Sequence, residues 1–263
     1  AAQIVEHFAI AYHQQRQAYG NTAADPQTVW LSTTDDFPNF GKHSPIQDND
    51  VLIYPLAGRQ VNAIRHLLTI GANLLAFTSG SVWSIAAPNE GALTQTDVVS
   101  KPQGYDGCSD LEPIAVGNQA IFVEDKGQKV RNVSYDYASN SFTGEDLSEM
   151  IPHLLEGHEL VDWAYQRTPF SCIWCVREDG VLLSLTYNKQ QKVAAWAQHT
   201  TEDGDSLVMS VGTVSEGSED YLYLIVARYV DGAWRQYVER MESRLISDRN
   251  AALFMDSALT YNG

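Results

Sequence analysis

The sequence predicts an all-β fold: a propeller-like body of five or six blades of antiparallel sheet, with one short helix near residues 146–156. Three observations carry this expectation. First, an apolar run reaches an X-Gly turn and resumes four times. Residues 74–77 lead into Ser79-Gly80, 120–123 into Lys126-Gly127, 173–176 into Asp179-Gly180, and 222–230 into Asp231-Gly232. The turn glycines recur roughly every 50 residues, the span of one four-stranded blade. A fifth copy has a longer turn: Ala18-Tyr19-Gly20-Asn21 leads to Val29-Trp30-Leu31-Ser32, which echoes Val82-Trp83-Ser84-Ile85. Second, apolar residues within the repeats alternate with period two, the period of a strand. Third, the chain carries 6 Trp and 13 Tyr among 263 residues, a composition that packed sheets favour.

Taken in order, the start reads as a strand, with Phe8, Ile10 and Tyr12 alternating before the polar His13-Gln14-Gln15-Arg16. Residues 61–70 place Val61, Ile64, Leu67 and Leu68 at helical spacing, but the repeat position favours a strand. Val181, Leu183, Leu185 and Tyr187 share one strand face, opposite Leu182, Ser184 and Thr186. Residues 221–229 are apolar on both faces, which predicts a central strand buried between stacked blades. Asp-Gly at 179 and 231 predicts type I′ hairpins, whose two central residues both need positive φ. The helix is expected because Leu147, Ile151, Leu154 and Leu155 share a face, with Ser148 or Asp146 as cap and Gly157 as stop. Pro152 is tolerated there only in the first turn. Turn-rich spacers fall at 33–50, 86–110, 138–145 and 199–206. Residues 1–245 read as one propeller-like domain, and 246–263 as a closing strand or the start of a following domain. A start at Ala1-Ala2 and an end at Asn262-Gly263 suggest a piece of a longer protein.

The formal net charge is -16, from 33 Asp and Glu against 17 Lys and Arg. Sequence-specific nucleic-acid binding is not expected, because phosphate neutralisation needs clustered cations. The 3 Cys are too few and too odd for a disulfide framework and fit free thiols in a reducing compartment. No apolar stretch has the roughly 18 residues a membrane span needs, and no signal peptide is visible.

Candidate chemistry is sparse. Cys172-Ile173-Trp174-Cys175 is a C-x-x-C, but within a strand positions i and i+3 face opposite ways, so the pair reads as buried packing. Cys108 lies in a spacer without a signature partner. Asp35-Asp36, Asp48-Asn49-Asp50 and Glu202-Asp203-Gly204-Asp205 read as solvated turns, or as opportunistic cation sites. A glycosidase needs two facing carboxylates; Asp106, Asp110, Glu112, Glu124, Asp125, Asp162 and Glu178 qualify by type alone. The 7 His, at 7, 13, 43, 66, 153, 158 and 199, form no ligand pair. Trp163, Tyr165 and Trp196 are candidate contacts for a partner or a sugar, with core packing between blades as the alternative. No catalytic, cofactor-binding or metal-ligating residue is assigned, and no enzyme activity is expected.

Several segments fall in a telling order: Tyr12-His13-Gln14-Gln15-Arg16, Gln27-Thr28-Val29-Trp30-Leu31-Ser32, Phe37-Pro38-Asn39-Phe40, Asp48-Asn49-Asp50, residues 75–80, 113–117, 179–187 and 193–199, then Phe254-Met255-Asp256-Ser257 with Leu259-Thr260-Tyr261. Together they resemble the tail nozzle (tail tubular protein B-like) proteins of short-tailed bacteriophages and related prophages. The resemblance implies a virion structural protein of the tail, assembled in the bacterial host cytoplasm. It implies a ring of copies, a hexamer in the full protein, beside the adaptor and portal proteins, with DNA passing through the lumen during ejection. It implies no cofactor. Two other readings stay open: a carbohydrate-binding or glycoside-cleaving propeller, and a generic protein-docking propeller.

Overall fold

The structure is a computed structural model that describes residues 9–58, 61–88, 91–201, 206–246, 248–252 and 255–259. His7, Phe8, the acidic run 202–205, Phe254, Thr260, Tyr261 and the terminal residues at either end lie outside these.

The chain is all-β. Among the described residues five antiparallel sheets follow one another along it, each a meander in chain order. The first holds β1 (Ala9–His13), β2 (Arg16–Gly20), β3 (Thr28–Leu31) and β4 (Leu52–Pro55). The second holds β5 (Ile64–Ile70), β6 (Asn73–Thr78), β7 (Val82–Ala86) and β8 (Val99–Gly104). The third holds β9 (Ile114–Val116), β10 (Gln119–Val123), β11 (Val130–Asp136) and β12 (Ser141–Thr143). The fourth holds β13 (Leu160–Gln166), β14 (Cys172–Arg177), β15 (Leu182–Asn188) and β16 (Val193–His199). The fifth has three strands, β17 (Ser206–Glu216), β18 (Glu219–Val230) and β19 (Ala233–Arg240). The chain divides into two compact units, Ala1–Ser148 with the first three sheets and Glu149–Gly263 with the last two.

The recurring hairpin has a fixed place. It joins the second and third strands of every sheet: β2–β3, β6–β7, β10–β11, β14–β15 and β18–β19. The second strands β6, β10 and β14 are apolar on both faces because both are covered. Every residue of β10 and β14 is buried, and all of β6 except Asn73. In the first unit, Leu74 and Ala76 of β6 pack with Ile64 and Leu67 against Ala18, Val29 and Leu31 of the first sheet. Leu75 and Phe77 point the other way, into Ala120, Phe122 and Val133 of the third sheet, with the Phe77 and Phe122 rings 5.3 Å apart. In the second unit Trp174, Val176 and Leu182 pack on Val211, Leu222, Leu224 and Val226. Burying one such side chain stabilises by about 2–3 kcal/mol.

The units repeat one inter-sheet contact between first strands. The Thr69 hydroxyl on β5 donates to the Tyr12 carbonyl on β1 at 2.8 Å. The Thr213 hydroxyl on β17 donates to the Tyr165 carbonyl on β13 at 3.0 Å. Within segment 61–70, Ile64–Ile70 forms the strand its repeat position indicates, and residues 61–63 precede it as a connection. Its helix-like spacing comes from a bulge between Ile64 and His66. The extra residue reverses the phase, so Ile64 and Leu67, three apart, enter the same core.

Several sequence expectations need correcting. On β1 the alternation is present but the facing is reversed. Ala9 and His13 are buried, while Ile10 and Tyr12 are 52% and 61% exposed. The spacers 86–110 and 138–145 contain β8 and β12, the outermost strands of their sheets. Outer strands bury little, and β8 carries Lys101 and Pro102, so neither gives a hydrophobic signal. The helix spans only Pro152–Leu155. Ser148 cannot cap it: its hydroxyl donates to Asp146 at 2.6 Å and accepts from the Val130 amide at 3.1 Å. Pro152 sits in the first turn, and Gly157, at φ +80°, follows the end as expected. The Asp231-Gly232 turn has positive φ at both residues, the type I′ form. The 179–180 turn differs, since only Gly180 is at positive φ, and its three-residue loop runs from Arg177 to Val181. β18 is covered along one face, where Leu222 and Val226 are buried, and only at Ala227 on the other, where Ile225 and Tyr229 are 40% and 50% exposed. Among the described residues no helix is long and apolar enough to cross a membrane.

Gly180 combines φ +82° with a close approach, for an added Cβ would lie 2.7 Å from the Leu207 Cβ. Gly180→Ala is therefore expected to destabilise the second unit by about 2–3 kcal/mol, read from the denaturant midpoint. Gly212→Ala, with open space around its Cβ, is the control and should shift the midpoint little.

Candidate functional site

The three sequence-predicted aromatics all belong to the fourth sheet. Trp163 and Tyr165 lie two apart on β13 and so share a face. Cross-strand register runs from Tyr165 to Ile173, then Leu185, then Trp196 on β16, so Trp196 shares that face too. The row spans three strand spacings, which places Tyr165 and Trp196 at opposite margins, about 14 Å apart. Trp163 is buried, and Tyr165 and Trp196 are half-buried. The three do not converge on one patch.

Tyr165 does reach a cleft of about 430 Å³, shared with Arg167, Thr213, Ser215, Glu219 and Asp220. The β17–β18 turn, with Gly217 at φ +63°, brings Asp220 back beside the end of β13. Its carboxylate accepts from the Ser215 hydroxyl at 2.5 Å, the Thr168 amide at 2.9 Å and the Arg167 amide at 3.0 Å. Those donors, the Ser215 hydroxyl first, hold Asp220 below the usual carboxylate range. It is an anion fixed in place and unsuited to general-acid work. The cleft offers hydroxyls, one guanidinium and carboxylates to a polar ligand.

Six of the seven carboxylates that qualified for a glycosidase lie against a guanidinium, a histidine ring or hydrogen-bond donors. Arg131 holds Asp106 at 3.3 Å and Glu124 at 3.2 Å. Arg65 holds Asp110 at 3.3 Å and Asp125 at 2.6 Å, and donates to the Cys108 carbonyl. Asp162 accepts from Ser210 at 2.5 Å and the Val211 amide at 3.0 Å, binding β13 to the bulge in β17. Glu178 lies 3.7 Å from His158. Among the described residues no three metal-ligating side chains cluster. Cys172 and Cys175 sit on opposite faces of β14, and Cys108 is fully buried. Burial pushes the Cys108 thiol up to about 12 and raises Cys172 and Cys175 as well, so none is a thiolate nucleophile.

Sequence reading missed a polar hub in the first sheet. Arg16 is 2% exposed and donates to the carbonyls of Asp50 at 2.6 Å, Ser32 at 2.7 Å and Asp48 at 2.9 Å. Asp50 is buried too, not a solvated turn residue. Its carboxylate accepts from the Gln47 amide at 2.9 Å and the His43 amide at 3.0 Å, and pairs with the His43 ring. These donors, led by Gln47, lower its pKa to about 2. The hub fastens the long β3–β4 connection to β2. A lone Arg after a polar turn gives no sign of burial, so its partners are visible only in three dimensions. His13, 3% exposed, is driven by burial to a pKa of about 4.

No family model matches the chain, and no curated protein matches it. Among 149 matching chains of solved structures is one from an S. cerevisiae assembly of dbp5 bound to nup159, gle1, IP6 and ADP. The TM-score is 0.44 and the identity 10%, over 89% of this chain and 61% of that one, so the chain spans about three fifths of the neighbour's length. One expectation is corrected here. The reading that the chain is no enzyme is withdrawn, because that assembly includes a DEAD-box helicase, an enzyme. At this TM-score the likeness assigns no activity to the chain and carries no argument about it.

Two outcomes follow from the buried groups. His13 binds its proton more weakly folded than unfolded, so acid favours unfolding. Stability is complete above pH 6.5 and declines as pH falls from 6.5 toward about 4. Asp50, with a depressed pKa, adds a second decline from 3.8 to about 2. Urea titrations across this range should show the upper decline, and His13→Gln should reduce it, leaving the share of His66 and His199, whose pKa values burial also lowers; a flat profile between pH 6.5 and 4 contradicts the assignment. The 3 thiols should be silent to a disulfide reagent in the native chain and react only after unfolding.

Proposed function

We propose that this chain is a structural subunit of the tail of a short-tailed bacteriophage or prophage, a propeller-like nozzle component that forms part of the conduit for DNA ejection. One observation supports the propeller-like reading above others. In each unit one pair of consecutive sheets, the first and second or the fourth and fifth, approaches through its first strands with an equivalent threonine-to-carbonyl bond, while no residue of the fourth strands β8 and β16 is buried. Blades that radiate from an axis have this inside-to-outside order. The segmental resemblance supplies the tail assignment. Two of its segments meet in the polar hub, where Arg16 binds the carbonyls of Asp48 and Asp50. The resembling residues therefore do structural work in fixing a loop to a blade.

The mechanism on this reading is mechanical and electrostatic. Neighbouring sheets that bury their faces against one another form a stiff wall. A net charge of -16 disfavours adhesion of DNA to that wall, since like charges repel. The partners are further copies of the chain in a ring, a hexamer in the full protein, and the adaptor and portal proteins of the tail. Its place is the virion tail, after assembly in the bacterial cytoplasm.

Immunogold labelling of intact particles tests the reading. Label is expected at the tail tip, with the encoding gene beside those for portal and adaptor. Label confined to the capsid, or absence of the protein from purified particles, overturns it. Reversing several carboxylates to Lys should slow ejection; unchanged kinetics would count against the electrostatic part alone.

A further inference from the structure

In the first four sheets the third strand lies between a second and a fourth: β3, β7, β11 and β15 are paired on both sides. In the fifth sheet β19 holds that third position, and among the described residues nothing pairs with its other side. The tryptophan after the turn registers the difference. Trp83 on β7 is 8% exposed, and Trp234 on β19 is 53% exposed. Along β19 every residue but Glu239 is exposed. A long edge bearing Trp234, Tyr237 and Val238 is a template for another strand.

Turn geometry fixes which backbone groups are available. The two-residue Asp231-Gly232 loop makes Val230 and Ala233 a hydrogen-bonded pair. Alternate residues Arg235, Tyr237 and Glu239 then turn their backbone groups to β18, and Trp234, Gln236, Val238 and Arg240 turn theirs outward. The charges on the edge are unbalanced in one respect. Arg235 lies directly across from Arg228, which already holds Glu239 at 2.6 Å and Asp256 at 3.0 Å. Among the described residues no carboxylate meets Arg235.

A second β19, antiparallel about a two-fold axis through Tyr237, satisfies both conditions. Outward groups then meet, with Trp234 opposite Arg240 and Gln236 opposite Val238. Arg235 of each copy faces Glu239 of the other, whose carboxylate is then shared between Arg235 and the Arg228 of its own chain, and Tyr237 faces itself. Registers shifted by two residues place Arg235 opposite Tyr237 or Met241 and lose the charge match. The geometry points to a second copy of this chain as the occupant of the β19 edge, joined in this register into one continuous six-stranded sheet. The contact is isologous, as in most closed dimers, and does not rest on the tail reading.

Sedimentation velocity on the purified chain should show a concentration-dependent dimer; a monomer throughout the micromolar range overturns the assignment. Val238→Pro removes an outward amide without touching the β18 ladder, and should weaken dimerisation about 30-fold through two lost hydrogen bonds. Dimerisation that Val238→Pro leaves unchanged also overturns it. Tyr237→Cys should cross-link two chains on oxidation, because facing residues of a non-hydrogen-bonded pair have Cβ atoms about 4.5–5.5 Å apart. Trp234→Cys should not, and the buried native thiols stay silent. Cross-linking through Trp234→Cys alone would place the contact in another register and sink the proposal, even where Val238→Pro fails to fold. A ring of copies without the Tyr237→Cys cross-link would leave the tail reading standing and refute this one.

Discussion

A strand that is apolar on both faces must be covered twice, and most of this architecture follows from that requirement. β6, β10 and β14 each present side chains to two sides, and a sheet containing such a strand cannot stand alone. In the first unit β6 meets the demand by sending Leu74 and Ala76 to one neighbouring sheet and Leu75 and Phe77 to the other. In the second unit β14 sends Cys172, Trp174 and Val176 to the fifth sheet. Layered burial of this kind is additive at about 2–3 kcal/mol per large side chain, and only dense packing between sheets captures it.

Polar groups hold the margins that apolar burial leaves loose. Arg16, Arg65, Arg131 and Arg177 each tie a connection to a strand. Arg177, for example, reaches from the β14–β15 turn to the Leu154 carbonyl of the helix at 2.6 Å. A guanidinium suits the task because it presents several donors in one plane and stays charged when partly buried. The acidic excess of the chain is thereby divided. Carboxylates such as Asp50, Asp162 and Asp220 are fixed acceptors inside the fold, and the remainder give the surface its sign.

Hairpin phase was legible from residues alone, because a two-sided apolar run that stops at a turn glycine fits little besides a central strand entering a tight turn. Outer strands were not, since β8 and β12 bury little and carry no pattern to read. A similar limit applies to facing. Ile10 and Tyr12 alternate correctly yet point outward, because small Ala9, Ala11 and Ala18 allow the close approach of β5 to β1. Of the three candidate aromatics, sequence could place all on strands of one repeat, but not that Trp163 is buried or that Tyr165 borders a polar cleft. The polar hub at Arg16 left no sequence trace, as its acceptors are backbone carbonyls, which every residue possesses.

The sequence by itself determined the all-β class, the meander repeat and the buried second strands, all of which depend on local alternation and on turn residues. Tertiary structure alone decided which faces are covered, how carboxylates are partnered, and where pairing stops. Those outcomes depend on neighbours distant in the chain. Coverage of β18 on one face and of β6 on both cannot be told from their apolar patterns, because burial belongs to the space between sheets and not to either strand.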